Sequence, residues 1–332
     1  MTGRIVPVFA CFLAIVGMCE RELSALNAHE AEYEARPHSD ARPALQRVKS
    51  WGYQLQALDV DDIARSSHDL VVIDYSLDGT DQKKFTKTQL SALKQKPDGG
   101  KRIILAYLSI GEAENYRYYW RSSWKKAPPN WLAKENPEWR GNFLVKYWKP
   151  AWQKLIFGNE KSYLSRIIAA GFDGVFLDRV DAYDHWTRSR ATARNDMINF
   201  VDRLSHDAKK RQQGFLVFVQ NAEELLSDAD YRNQLDGVVK EDLFFGAQSH
   251  TNRNSKSLVR AHIKHLRLAR DHGLPVLVVE YLTSFPERAS QAVQEIRDLG
   301  FIPYISNRPL DTLRSPPPIP LKNSAGPMQT AP

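Results

Sequence analysis

Residues 171–186 read GFDGVFLDRVDAYDHW, an apolar run that ends in Asp178, Asp181 and Asp184 mixed with Tyr183, His185 and Trp186. The apolar part is short and nearly continuous, the pattern of a strand covered on both faces, which is the situation of a parallel sheet. A buried strand that opens onto carboxylates and rings directs attention to the residues at the end of every similar run.

Such runs recur: WGYQLQAL (51–58), DLVVIDYS (69–76), RIILAYLS (102–109), NFLVKYW (142–148), GVFLD (174–178), GFLVFVQN (214–221), DGVVKED (236–242), PVLVVEYL (275–282) and FIPYIS (301–306). Amphipathic segments separate them at 85–95, 151–170, 188–211, 255–272 and 286–299. The last two stop at Gly273 and Gly300, just before the next run, as a repeated β-α unit requires. Alternation at this length, with about eight strands, predicts an α/β fold, a single-domain (β/α)8 TIM barrel rather than an open doubly wound sheet. NFLVKYW is one run too many and is assigned to an insertion in the third β-α loop.

The barrel is expected over residues 49–312. Residues 1–28 carry a short basic lead, the apolar stretch IVPVFACFLAIVGM and then charge, which reads as a signal peptide or N-terminal anchor and predicts a secreted or periplasmic protein. Residues 29–48, polar with Pro37 and Pro43, read as a linker, and 313–332 as a proline-rich disordered tail. Cys11 and Cys19 are the only cysteines and both fall in or just after the apolar stretch, so the exported body has no disulfide, thiolate metal site or cysteine nucleophile. Cys19 is the alternative lipid-attachment point, although Met18 before it is bulkier than such a site prefers.

The chain carries a net charge of +7 over 332 residues. Its basic residues are scattered, for example Lys256, Arg260, Lys264, Arg267 and Arg270 along one expected helix, so a solvated helix face explains them and no nucleic-acid partner is expected. Contact with a membrane is expected only through the N-terminal segment, and the chain is expected to be a monomer.

In a barrel of this kind the active site lies at the carboxyl ends of the strands. The residues at the ends of these runs are acidic: Asp74, Glu112 and Glu114, Asp178, Glu223 and Glu224, Glu241 and Asp242, and Glu280. A polar residue at one strand end is ordinary, but convergence from six runs points to a site. Grouped carboxylates push each other's pKa values apart, which is the division of labour that glycoside hydrolysis uses. Aromatic residues that could stack on sugar rings crowd the segment after the third run: Trp120, Trp124, Trp131, Trp139, Trp148 and Trp152, with Tyr116, Tyr118, Tyr119 and Tyr147. The same rings would equally form a small core of the insertion. No G-x-S-x-G elbow, Walker loop, G-x-G-x-x-G or H-E-x-x-H is present, and no cofactor is expected.

AYLSIGEAENYRYYW (106–120), GFDGVFLDRVDAY (171–183), QNAEELL (220–226) and VVKEDLFFG (238–246) resemble the endo-α-1,4-polygalactosaminidase family, glycoside hydrolase family 114. The resemblance covers residues 50–308 and implies a (β/α)8 barrel that cleaves α-1,4-linked galactosamine polymers within the chain. It implies catalysis by an aspartate after the fourth strand and a glutamate after the sixth, which fall on Asp178 and Glu241. Glu223 and Glu224 compete with Glu241 for the second role. A retaining course would have Asp178 attack the anomeric carbon while Glu241 serves as acid and then base, with the two carboxyls about 5 Å apart. The expected substrate-binding set is Asp74, Tyr107, Glu112, Glu114, Tyr116, Arg117, Asp181, Tyr183, Asn221, Glu280 and Tyr281, with Asp74, Glu112, Asp181 and Glu280 holding ring hydroxyls or a free ammonium. Two other classes stay open: a metal-assisted enzyme using the same carboxylates with Lys240 or His185, and a non-catalytic polysaccharide-binding barrel.

Overall fold

The computed structural model describes residues 42–247 and 252–318. The expected signal segment, most of the linker and the end of the proline-rich tail lie outside the described residues. In chain order the strands are β1 (Trp51–Gln54), β2 (Leu70–Ile73), β3 (Ile103–Ser109), β4 (Glu112–Glu114), β5 (Leu132–Glu135), β6 (Asn142–Val145), β7 (Gly174–Asp178), β8 (Leu216–Gln220), β9 (Gly237–Glu241), β10 (Val276–Glu280) and β11 (Ile302–Ile305). Eight of them form one parallel sheet in the order β1-β2-β3-β7-β8-β9-β10-β11. With helices around it, this is the (β/α)8 barrel.

Between β11 and β1 the barrel is closed by side chains and loops rather than by a strand ladder. The Trp51 indole N–H donates to the Ile302 carbonyl at 3.0 Å, and the Leu55 and Gln56 amides donate to the Leu310 carbonyl at 2.9 and 3.1 Å. NFLVKYW indeed lies outside the barrel, since β6 pairs antiparallel with β4 and β5 in a small sheet inserted after β3.

Alternation along each barrel strand separates two cores, because successive side chains of a strand point to opposite faces. Trp51, Tyr53, Val72, Leu105, Tyr107, Phe176, Phe218, Val239, Leu277, Val279 and Tyr304 fill the barrel interior. Their neighbours Val71, Ile73, Ile104, Ala106, Val175, Leu177, Val217, Val238 and Val278 pack outward against the helices. Phe218 needs Gly237 on the adjacent strand, where a Cβ would stand 2.1 Å from the ring.

The helices follow the expected segments with local corrections. The segment 151–170 is two helices, Pro150–Ile156 and Tyr163–Ala170: Gly158 takes a left-handed φ of 87°, and the Ser162 side chain caps the second helix. A short helix at Val60–Arg65, which its length hides from any periodicity, starts where Asp59 accepts from the Asp61 and Asp62 amides. The end of the expected linker is not linker, since Arg42–Leu45 is a helical turn and Leu45 and Val48 are buried. The start of the expected tail is likewise anchored, with the Arg314 amide donating to the Tyr304 hydroxyl at 3.0 Å. Among the described residues, no helix is long and apolar enough to cross a membrane.

Candidate active site

A cleft of about 500 Å3 opens at the carboxyl ends of the strands. Strand alternation decides which residues face it. Asp178 lies two positions after Phe176, Glu241 two after Val239, Asp74 two after Val72 and Tyr281 two after Val279, so all four continue interior-facing rows and line the cleft. Tyr107 shares the interior row of β3, and Asn221 follows Gln220 at the end of β8.

Asp178 and Glu241 are each held by a phenol from a neighbouring strand. The Tyr107 hydroxyl donates to Asp178 Oδ2 at 2.7 Å, and the Tyr281 hydroxyl donates to Glu241 Oε2 at 2.8 Å. The Asn221 amide nitrogen donates to Glu241 Oε1 at 3.2 Å. Burial pushes the Asp178 carboxyl up to about 7; the Tyr107 hydrogen bond and the Arg179 guanidinium oppose this, and the charge of Glu241 adds to it. Burial also raises Tyr107 and Tyr281, which keeps both phenols protonated as donors.

The backbone at these strand ends is strained. Arg179, Asn221 and Asp242, the residues after Asp178, Gln220 and Glu241, have φ of 61°, 56° and 54°. A left-handed turn by a residue with a side chain costs energy that a tertiary context must offset, and it turns the chain sharply away once the strand has delivered its last side chain. Gly111 makes room beside the first of these turns, since a Cβ there would lie 2.2 Å from the Arg179 carbonyl oxygen.

The other expected binding residues divide. Glu112, Glu114 and Tyr116 line the cleft with Asp74; each carboxylate has an arginine beside it, and the Glu112 Oε2 is buried without a hydrogen-bond partner among the described residues. Arg117, buried behind them, spans Asp74 (2.8 Å) and Glu114 (2.6 Å), while Arg179 pairs with Glu112 at 3.1 Å. Arg117 is therefore a buried tie and not a lining residue. Asp181 stands beside the cleft with Arg179 at 3.6 Å, and Tyr183 turns away to donate to Glu224.

Glu280 is outside the cleft altogether. It occupies the outward row of β10, fully buried, where the Phe244 and Phe245 amides donate to its two oxygens at 2.7 and 3.3 Å; burial raises it to about 8. Glu223 does not compete with Glu241, because it is buried against Lys240 (3.4 Å) and His262 outside the barrel. Lys240 precedes Glu241 and so faces the opposite way, and His185 is exposed beside Trp186. Among the described residues, no group of three or more His, Cys, Asp or Glu side chains is placed to hold a metal ion.

The tryptophans divide between core and cleft. Trp120, Trp124, Trp131 and Trp152 form a chain of ring contacts with Tyr119 and Phe143, which is the small core of the insertion. Trp139, 54% exposed, lines the cleft with its neighbour Arg140. A search of strand ends for carboxylates passes over Tyr53, Gln220, Arg179, Arg140 and Arg308, which also line the cleft. Alternation alone would have found Tyr53 and Gln220; the arginines are brought in by turns that no periodicity marks.

Comparison with known proteins places this barrel. The family described as "Glycoside-hydrolase family GH114" matches residues 30–317. An uncharacterized protein of Methanocaldococcus jannaschii is 40% identical over 280 residues, covering 80% of this chain and 78% of that protein. One of Deinococcus radiodurans is 35% identical over 276 residues, covering 82% and 84%. Among solved structures, the glycoside hydrolase domain of PelA from Pseudomonas aeruginosa superposes with a TM-score of 0.61 at 19% identity, covering 81% of this chain and 98% of that one. Ega3 of Aspergillus fumigatus, in complex with galactosamine, gives 0.60 at 20%, covering 85% and 99%. At such identities these two likenesses speak for the barrel alone. With nearly the whole folded part matched by the family, the chain belongs to glycoside-hydrolase family GH114 and is a glycosidase.

Proposed function

We propose that the protein is an exported, monomeric hydrolase that cleaves an α-1,4-linked galactosamine-type polysaccharide within the chain by a retaining, two-carboxylate mechanism. The observation that carries this reading is the pairing of Asp178 and Glu241 in one cleft, at the ends of the fourth and sixth barrel strands, each steadied by a phenol. The family supports the glycosidase chemistry, and the galactosamine bound to Ega3 supports the sugar. The leader at residues 1–28 supports export, with Cys19 as the lipid-anchored alternative.

In this mechanism the ionised Asp178 attacks the anomeric carbon as the bond to the leaving oxygen breaks, and Glu241 gives its proton to that oxygen. Glu241 then removes a proton from water, which attacks the same carbon and releases Asp178. Tyr107 and Arg179 favour the ionised form of Asp178 that the first step needs.

The test is digestion of partly acetylated α-1,4-galactosaminoglycan by the parent, Asp178→Asn and Glu241→Gln, with oligosaccharides followed by mass spectrometry and the first-formed anomer by NMR. Internal cleavage with retained α configuration, absent in both variants, supports the reading. Product of inverted configuration refutes the retaining course, and no release by a folded parent refutes the hydrolase itself.

A further inference from the structure

We infer that Lys240 is a positioning residue for the general acid: from behind the strand ends, its ammonium fixes which way the Asn221 amide points and so keeps the proton of Glu241 directed into the cleft. The inference rests on the hydrolase reading above and concerns a group that does not touch the substrate.

Asn221 stands between two layers. Its side chain lines the cleft beside Glu241, and it and Ala222 have φ of 56° and 52°, a pair of left-handed residues that reverses the chain at the end of β8. The reversal puts Glu223 behind the strand ends, next to the outward-facing Lys240, with 5% and 11% of their side chains exposed. Residues with side chains hold such turns only where the surrounding contacts fix them, and they gather at functional sites.

Three contacts determine the Asn221 amide. Its Oδ1 accepts from Lys240 Nζ and from the Glu241 backbone amide, both at 3.4 Å, and its Nδ2 donates to Glu241 Oε1 at 3.2 Å. A rotated amide would turn its NH2 toward an ammonium and a backbone N–H, neither of which can accept. It would also turn its oxygen toward Glu241 Oε1, and this bears on the chemistry. With Asn221 Nδ2 on Oε1 and the Tyr281 hydroxyl on Oε2 at 2.8 Å, both carboxyl oxygens meet donors, which leaves the proton of the acid form to face the cleft. An Asn221 oxygen in that place would accept the proton that the leaving oxygen needs.

Lys240 is held in turn. Glu223 Oε2 lies 3.4 Å from its Nζ, and the other oxygen of Glu223 contacts Nδ1 of His262 on the helix Lys256–Asp271. Burial lowers the Lys240 ammonium, and the charges of Glu241 and Asp181 oppose this. Buried ion pairs are costly, and well-packed apolar residues often replace them without loss of stability. Val238, two positions earlier in the same outward row, is such a residue. The orientation of Asn221 is what an apolar residue at position 240 could not supply.

The experiment measures kcat/KM on α-1,4-galactosaminoglycan and on a dinitrophenyl α-glycoside of a galactosamine disaccharide, whose leaving group departs without a proton. It uses the parent, Lys240→Met, Asn221→Ala and the two substitutions combined. Lys240→Met with Glu223→Gln, which leaves no buried carboxylate without its cation, is carried beside them, and urea unfolding shows which variants are folded. The expected result is a loss of about tenfold or more on the polymer in both variants that carry Lys240→Met with Asn221 intact, against a change of less than about twofold on the dinitrophenyl substrate. In the Asn221→Ala background the lysine substitution should cost less than about twofold further, because its effect passes through that amide. Equal losses on the two substrates, an unchanged polymer rate, or the full lysine effect persisting without Asn221 overturns the inference and leaves the hydrolase reading intact. A folded parent that cleaves neither substrate refutes the hydrolase reading and the inference with it.

Discussion

Asp178→Asn should remove activity and at the same time stabilise the protein, and the stabilisation should depend on pH in a calculable way. The Asp178 carboxyl moves from an ordinary value of 3.8 in the unfolded chain to about 7 in the folded one, chiefly because it is buried. Roughly three pKa units at about 1.4 kcal/mol each give a ceiling of about 4 kcal/mol. Water entering the open cleft lowers this to about 2 kcal/mol. For the sign, a carboxyl raised in the native state keeps its proton between pH 3.8 and about 7 while the unfolded chain has released it. Stability of the parent therefore falls as pH rises through that window and levels off above it. Asparagine has no proton to lose and still accepts the Tyr107 hydrogen bond through its amide oxygen. The variant should match the parent near pH 4 and exceed it by about 2–4 kcal/mol at pH 8, or about 4–10 °C in Tm for a domain of this size. Paired thermal and urea unfolding at pH 4, 5.5, 7 and 8 checks this. A stability difference that does not change with pH, or a parent more stable than the variant at pH 8, would refute the claim that burial holds this carboxyl up.

The same group sets the pH dependence of catalysis: with Asp178 acting as nucleophile, kcat/KM should climb as pH rises toward about 7, and a profile that falls through that pH would assign Asp178 the role of proton donor instead. Arg117→Ala leaves Asp74 and Glu114 buried without their shared cation, so it should cost about 3–5 kcal/mol in urea unfolding; a near-neutral result would show that the two carboxylates do not depend on Arg117. Glu280→Gln should retain hydrolysis, since Glu280 lies outside the cleft and burial already keeps it protonated at neutral pH, and should lose about 1–3 kcal/mol, because the glutamine NH2 cannot accept from one of the two backbone amides that its carboxyl oxygens serve. Lost activity with unchanged unfolding would instead make Glu280 part of the active site.

Much of the fold was legible in linear order because it rests on local rules. Buried parallel strands must be apolar on both faces, and helices between them must end where glycine allows, so the alternation of GVFLD-like runs with amphipathic segments marks a barrel before any contact is known. The excess run NFLVKYW was assignable to an insertion by counting alone. The segment 151–170 escaped because Gly158 and Ser162 divide it inside one continuous amphipathic pattern. Among site residues, Asp178, Glu241, Asp74 and Tyr107 were within reach because each ends or follows a recognisable strand. Glu280 was misplaced because standing at a strand end does not fix the face: by the two-residue period Tyr281, its neighbour, takes the inward position.

The amino-acid sequence by itself determines the alternation of strand and helix, the barrel that follows from it, and the supply of acidic residues at the strand ends, because hydrophobic period and turn chemistry act over a few residues. Only the tertiary structure decides which acids remain available. Arg117 reaches Asp74 across 43 positions and Arg179 reaches Glu112 at the turn after β7, pairings that depend on strand order and on left-handed turns and leave no trace in local spacing. A mouth that reads as uniformly acidic in one dimension is, in three, a set of carboxylates that share two arginines around Asp178 and Glu241, because burial favours a carboxylate that has a cation beside it.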